Sequence, residues 1–344
     1  MLISTEMGRY KSLSLIYGGD SSEWEVSCRS AAFVAANLDT DLYDVYEIFA
    51  RFGNWELVAV WKGGGGRQEI PKGLRPEVNK DDFSVTLSSG VVKFDFALIM
   101  QHGTPGENGL LQGYLEMVGV PFSTSNAFVS AVIFDKYSCK SYLRDAGIVK
   151  LAPDALVGKG WNLEKFSSAV VARLGLPLFV KPTIGGSSYG ITKVKRVEDL
   201  PAAIEYAFSE GPSVMVEAAI SGREFTCGVY KNAYGVQTLP VIEIISENEY
   251  FDYEAKYEGH SREVCPAEIS PELSDTIKRV TTSIYEWFGC NGLVRMDYIG
   301  AEDGLYLLEI NSIPGMTEAS LVPKMLRTAG IDIKAFLTDI IQNA

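Results

Sequence analysis

The stretch GLVRMDYIGAEDGLYLLEINSIPGMTEASLVP, residues 292 to 323, decides how the rest of the chain reads. Leu293 to Ile299 and Leu305 to Asn311 alternate apolar and polar residues, and Glu302-Asp303-Gly304 between them carries turn chemistry, so the segment predicts a hairpin. Alternation puts Arg295 and Asp297 on one face of the first strand, and Glu309 and Asn311 on one face of the second. With the apex near Asp303, Asp297 falls opposite Glu309 and Arg295 opposite Asn311. Facing carboxylates destabilise a sheet, and a hard divalent cation removes the repulsion. Asp, Glu and Asn oxygens around such a cation, which also holds phosphate, describe a magnesium site. The alternative is a charged solvent face on an ordinary hairpin. The continuation, Ser312 to Thr317, favours the first reading, because a stiff, turn-rich loop can aim backbone N–H groups at a ligand.

A phosphate-handling site needs a nucleotide and an acceptor from the remaining chain. The 344 residues, 47% hydrophobic and 22% charged, have ordinary globular composition with room for two or three domains. The net charge of −13 and pI near 4.8 argue against a nucleic-acid or anionic-membrane binder, though not against a small anionic substrate. The five cysteines form no CxxC pair, so buried thiols in a reducing compartment are expected rather than disulfides or zinc. There is no apolar run of membrane-spanning length and no apolar signal core in MLISTEMGRYK, which together read as a soluble cytoplasmic protein.

In chain order, Ser12 to Tyr17 predicts a strand that ends in Gly18-Gly19-Asp20, and a helix follows, capped by Ser or Asp and running to about Leu38. This is a doubly wound unit whose ligand end is the glycine turn. Glu23 stands at the helix mouth, either as a capping carboxylate or as the partner of a substrate amine. Asp44 to Ala50 reads as a second strand, and 54 to 87 as a less regular insertion. Phe94 to Gln101 is a buried strand emptying into His102 to Gly109, ahead of a helix from Leu110 to Val118. His102 is read as a positioning residue, not a proton-transfer group. One helix is expected from Ala127 to Ala146, capped by Ser125 and carrying Asp135-Lys136; taken alone, Lys136 is a solvated helix lysine.

Leu176 to Lys181 and Ile191 to Val197 flank a Gly/Ser-rich loop, Pro182 to Gly190. It lacks the GK[ST] of a Walker loop but can lay N–H groups and hydroxyls over phosphates, with Lys181 supplying a point charge. Ser213 to Glu217 reads as an apolar edge strand able to read adenine, with Glu224 seven residues on for ribose hydroxyls. A long polar loop opens at Phe251 to Tyr257 and has the length of an active-site lid. A helix from Pro271 to Gly289 leads back to the hairpin, and Asp332 to Asn343 closes the chain.

In order and spacing, GGDSSEWEVS, HGTPGENG, the DK at 135–136, VKPTIGGSSYGITKV, VEAAISGREFT, FDYEAKY, VRMDY and LLEINSIPGMTEASLVP resemble the D-alanine–D-alanine ligases of the ATP-grasp superfamily across positions 18 to 323. The resemblance implies an α/β protein, with an N-terminal doubly wound (pre-ATP-grasp) domain at 1–124. An ATP-grasp fold of two α+β subdomains follows, at 125–217 and 218–344. It implies ATP-dependent joining of two D-alanines through an acylphosphate, for peptidoglycan precursors, with ATP as substrate, two Mg2+ (or Mn2+), and a homodimer. Lys136 and Lys181 would contact ATP phosphates, Ser188 and Lys256 would lie on loops that close over them, Glu217-Ala218-Ala219-Ile220 would read adenine, and Glu224 would hold ribose. Asp297, Glu309 and Asn311 would hold the metals. Glu23, supported by a Tyr257–Ser187 link, would take the first D-alanine's amine. Arg295 and the Gly315 backbone would surround the oxyanion, and Ser320 and Leu321 would receive the second D-alanine. Two departures touch the nucleotide contacts: Gly185-Gly186 where members carry an acidic residue and glycine, and Ala218-Ala219 where lysine and a bulky residue are usual. Tyr257 favours a dipeptide ligase over depsipeptide-forming relatives, which lack it. The competing readings are a non-catalytic nucleotide binder on the same fold and a ligase for another carboxylate and amine.

Overall fold

The computed structural model describes residues 10–186, 189–246 and 261–344. Four sheets organise them. Apolar SLSLIYG forms β1 (Ser12–Gly18), which is followed by α1 (Trp24–Asn37). β1 pairs in parallel with β2 (Asp44–Arg51) on one side and with β8 (Phe96–Ile99) on the other. The stretch expected to be irregular is in fact regular. β3 (Asn54–Trp61) is a full antiparallel partner of β2, and β4 (Gln68–Glu69) extends that sheet. β5 (Val78–Asn79), β6 (Ser84–Leu87) and β7 (Gly90–Lys93) make a small three-stranded sheet, whose Val85 packs with Phe83 under the first sheet.

The 102–109 loop leads into α2 (Leu110–Met117). The single helix expected over 127–146 is broken into α3 (Ala127–Phe134) and α4 (Lys136–Leu143). The cause is tertiary. The Lys136 amide, which would continue the helix, donates to Thr183 O at 2.7 Å, and Asp135 leaves helical geometry to cap α4 by accepting from Ser138 N. Asn126, not Ser125, caps α3. β9 (Lys150–Leu151) follows.

β10 (Asp154–Val157), β11 (Leu178–Pro182), β12 (Thr192–Val194) and β13 (Val214–Ala218) form a four-stranded sheet in the order β10-β13-β11-β12. It is covered by α5 (Leu163–Leu174) and α6 (Leu200–Glu210), which bury Val170, Leu200 and Ile204 against Val180 and Val216. β13 therefore lies inside the sheet, and the edge-strand expectation fails.

The largest sheet holds β14 (Arg223–Asn232), β15 (Gly235–Thr238), β16 (Ile242–Ser246), β17 (Ser261–Val264), β18 (Val294–Ala301) and β19 (Gly304–Asn311), with β9 at its margin. α7 (Pro271–Phe288) covers one face together with α3 and α4, through Ile277, Ile284, Val129 and Cys139. α8 (Leu321–Ala329) and α9 (Ile333–Asn343) share a core with the first sheet, where Met325 and Phe336 meet Leu13 and Val34. That shared core brings the loop after β19 against the ends of β1 and β8. All five cysteines are free thiols, and no helix among the described residues is long and apolar enough to cross a membrane.

Candidate active site

β18 and β19 pair as the sequence predicts, with Asp297 across from Glu309 and Arg295 across from Asn311. A two-residue turn at Glu302-Asp303 would by itself put Asp297 opposite Leu308, because Ala301 pairs with Gly304. A bulge between Asp297 and Tyr298 absorbs Leu308 and shifts the register by one. Leu307 thus enters the core beside Tyr298, while Glu309 turns to the face of Asp297.

Asp297 is buried and holds four donors. Arg295 binds it with both Nε (2.9 Å) and Nη2 (2.8 Å), Thr226 Oγ–H donates to Oδ1, and Asn311 Nδ2 donates to Oδ2 at 3.2 Å. Burial works against the Arg295 charge, but Asp297 outweighs it, with Glu309 adding to the effect, so its ionisation is pushed further up and the guanidinium stays charged. Lys136 is no solvated lysine: its Nζ donates to Gly185 O at 2.7 Å and stands 3.9 Å from Glu309 Oε2. Asp297, Glu309 and Asn311 give an all-oxygen donor set on one surface, which fits a hard cation once the Asn311 amide presents its oxygen. Among the described residues no group of three or more His, Cys, Asp and Glu side chains converges as a metal site, so the hairpin offers two carboxylates and an amide.

Around this hairpin lie two cavities. The first, of about 410 Å3, is lined by Glu23, His102, Arg295, Asn311, Gly315 and Ser320. The second, of about 570 Å3, is lined by Lys181, Ala218, Ala219, Ile220, Glu224 and Asp297. Lys136 and Glu309 line both.

In the first cavity Glu23 occupies the N-cap position of α1, yet its side chain caps nothing there. Ser21, just ahead of the helix, accepts from Glu23 N at 3.2 Å and donates to His102 O at 2.9 Å. Gly186 lies so near that a Cβ on it would stand 2.6 Å from a Glu23 carboxylate oxygen. His102 is fixed on both ring nitrogens: Nδ1 lies 2.9 Å from Ile313 O and Nε2 lies 3.0 Å from Ser30 Oγ. A carbonyl only accepts, so Nδ1 carries the proton and Ser30 donates to Nε2, while Ser30 Oγ accepts from Met316 N. Burial holds the imidazole below its usual range, against the pull of Glu23. His102 thus clamps the 313–316 loop through Ile313 O and, by way of Ser30, Met316 N.

Glu107 was not singled out by the sequence reading. Its carboxyl accepts from Gly103 N (2.7 Å) and Ile313 N (3.3 Å), tying the same two loops together. Burial, then the charge of Glu23, pushes its pKa up to about 8. Its only sequence signal was its place in a glycine-rich loop. Thr317 was likewise missed; its N–H and hydroxyl meet Ser320 Oγ at 2.9 and 2.7 Å. Ser320 and Leu321 stand at the start of α8, whose N-terminus favours an anion.

In the second cavity, Lys181 and Lys140 grip the two oxygens of buried Glu217. Glu217 is therefore engaged before any base arrives. The Ala218 and Ala219 amides donate to Pro153 O and Pro177 O, so backbone anchors this segment whatever its side chains. Gly185 has φ +102, a conformation that suits glycine where members carry an acidic residue. Ser187, Ser188, Lys256 and Tyr257 lie outside the described residues.

Sequence models of the D-ala D-ala ligase N-terminus and C-terminus match residues 12–125 and 142–342. The chain belongs to the D-alanine–D-alanine ligase family. Ligases of this family are ATP-dependent enzymes, and so the non-catalytic reading is set aside. The chain is 42% identical over 334 residues to the D-alanine--D-alanine ligase of Phocaeicola vulgatus, covering 97% of this chain and 99% of that one. It is 43% identical to the D-alanine--D-alanine ligase of Parabacteroides distasonis, with 97% of each covered. Among solved structures it resembles the VanG D-Ala:D-Ser ligase from Enterococcus faecalis, with a TM-score of 0.84, 30% identity and coverage of 97% and 99%. It also resembles D-alanyl-alanine synthetase A from Vibrio cholerae, with a TM-score of 0.83, 26% identity and coverage of 97% and 98%.

Proposed function

We propose that the chain joins two D-alanine molecules, with ATP in the second cavity and both amino acids in the first. The observation that carries this is the pair Lys136 and Glu309, which line both cavities. Phosphate delivered at that boundary reaches a carboxylate lying beside Arg295.

Glu23 holds the ammonium of the first D-alanine. An oxygen of that D-alanine's own carboxylate attacks the γ-phosphorus, ADP leaves, and a D-alanyl phosphate forms. Lys136 and Lys181 offset charge on the phosphates, Ala218 to Ile220 hold the base, and Glu224 holds the ribose. Asp297, Glu309 and Asn311 would hold two Mg2+ (or Mn2+), which when bound supply charge neutralisation for phosphoryl transfer. The second D-alanine sits with its carboxylate at Ser320, Leu321 and the positive end of α8. Once deprotonated, its amine attacks the acyl carbon. Arg295 and the Gly315 N–H stabilise the oxyanion, and collapse expels phosphate and leaves the peptide bond. Ser187, Ser188, Lys256 and Tyr257 belong to the loops assigned to closure, which keeps water from the acylphosphate.

Phosphate release from ATP tests the reading, with D-alanine, L-alanine, D-serine and D-lactate supplied in turn. D-alanine alone should give stoichiometric ADP, phosphate and dipeptide, and Glu309→Gln should lower turnover at least about 100-fold with the fold kept. Product formed only when D-serine accompanies D-alanine would reassign the second subsite.

The three-part division at 1–124, 125–217 and 218–344 is retained as a functional division, although α3, α4 and β9 pack on the largest sheet. Five free thiols support a reducing cytoplasm. The exposed aromatic cluster of Phe128, Tyr142 and Trp287 supports a homodimer.

A further inference from the structure

α4 carries two lysines one turn apart on one face, Lys136 and Lys140. Lys140 is the more deeply buried, its side chain 3% exposed against 12% for Lys136. The Lys140 ammonium donates to Ala152 O (2.9 Å) and Glu217 Oε2 (2.8 Å), and it forms an ion pair with Asp154 Oδ2 at 3.1 Å. The other Glu217 oxygen takes Lys181, and the other Asp154 oxygen takes Arg144 at 3.1 Å.

The result is a row of alternating charge, Lys181–Glu217–Lys140–Asp154–Arg144, buried except at its Arg144 end. It holds three cations and two carboxylates, so one cation is in excess. Of the two ends, Arg144 faces solvent, whereas Lys181 lines the cavity assigned to the nucleotide. If Lys181 leaves Glu217 for a phosphate, the four groups that remain are neutral, and both carboxylates keep Lys140. If Lys140 were missing, the same movement would strand a buried carboxylate, which is costly.

We propose that Lys140 is a positioning residue for the ligase reaction: it neutralises Glu217 permanently and so makes the Lys181 ammonium available to the ATP phosphates. This rests on the assignment of Lys181 to ATP made above. The charged groups facing Glu217 are Lys181 from β11, Lys140 from α4 and, across the ladder, Asp154 from β10. Burial pushes the Glu217 carboxyl up, but Lys181 and Lys140 outweigh it and hold it below its usual value.

The test is Lys140→Met, which keeps an unbranched chain one atom shorter and removes the charge. In that variant Glu217 must take up a proton when Lys181 moves to phosphate, so ATP binding becomes coupled to protonation. The KM for ATP should rise about 10- to 100-fold at pH 8 and fall as the pH is lowered towards 6. The KM for D-alanine should stay within about twofold. Titration calorimetry with ATP and Mg2+, without D-alanine, in buffers of different ionisation heat should show close to one proton taken up by the variant and almost none by the parent. Lys140→Arg should restore the parent behaviour. If Lys140→Met does not fold, Asp154→Asn still tests the idea: Glu217 keeps Lys140 there, so the KM for ATP should stay within about twofold. A rise in Asp154→Asn matching that expected for Lys140→Met, or a pH-independent rise in both substrates' KM values, would make the network a mere brace and overturn the proposal. An unchanged KM for ATP in a folded Lys140→Met would overturn it too. Lys181→Met separates the two claims. If it leaves the KM for ATP unchanged, the nucleotide assignment fails; if it raises that KM while Lys140→Met does not, only the role of Lys140 fails.

Discussion

Asp297 faces Glu309 across β18 and β19 only because Leu308 is bulged out of the ladder between them. Leu307 and Glu309 are two residues apart and in a regular strand would share a face. The bulge lets Leu307 pack beside Tyr298 in the core while Glu309 joins Asp297, Arg295 and Asn311 on the cavity side. The same surface thus presents the carboxylates assigned to metal and the guanidinium assigned to the oxyanion.

Arg295→Lys follows from this surface. Arg295 grips both oxygens of Asp297 from one planar group, which an ammonium does not reproduce. Turnover of ATP with D-alanine should drop about 100-fold or more, with a smaller change in the KM for ATP. Initial-rate kinetics on both substrates check this; a kcat within threefold of the parent would remove Arg295 from the oxyanion step.

Glu107 makes stability depend on pH. Its folded pKa of about 8 lies above the usual carboxylate range, so the folded chain keeps a proton that the unfolded chain has lost. A raised pKa gives stability that is fully present below the unfolded value and is lost as pH rises through the folded one. Between about pH 4.5 and 8 this one group contributes a fall of up to about 1.4 kcal/mol per pH unit. Glu107→Gln cannot titrate, so urea denaturation from pH 5 to 8.5 should show a shallower decline in the variant. Parallel curves would remove Glu107 as the source.

Gly186→Ala should act through Glu23. The added Cβ would stand 2.6 Å from a Glu23 carboxylate oxygen, so that side chain must swing aside. The KM for D-alanine should rise about tenfold while thermal stability changes little, because the obstacle is the far end of a flexible side chain. Substrate kinetics and a melting curve decide it, and an unchanged KM would mean that Glu23 does not hold the amine there.

Much was legible in the sequence. The alternation of residues 293–299 and 305–311 marked the hairpin, because a two-residue period states which side chains share a face, but the pairing of Asp297 with Glu309 needs the bulge at Leu308, which no alternation states. The order of the glycine-rich and acidic motifs carried the family. His102 stood out in the sequence as one of two histidines, but its tautomer follows only from Ile313 O, 211 residues away. The rest was decided by partners distant in sequence. The helix pattern over 127–146 contains no glycine or proline, so nothing local breaks it apart from a cap-forming Asp135; the break comes from Thr183 O, which takes the Lys136 amide. Glu107 and Lys140 look like any loop or helix residue until Ile313, Asp154 and Glu217 close around them. The sequence by itself determined which chemical groups this protein owns and, where a strand runs regularly, which of them share a face, because that follows from local periodicity. Only the tertiary structure decided that the two cavities meet at Lys136 and Glu309, and that Lys181 shares Glu217 with a second lysine. Burial and charge pairing depend on contacts between elements, which no local pattern encodes.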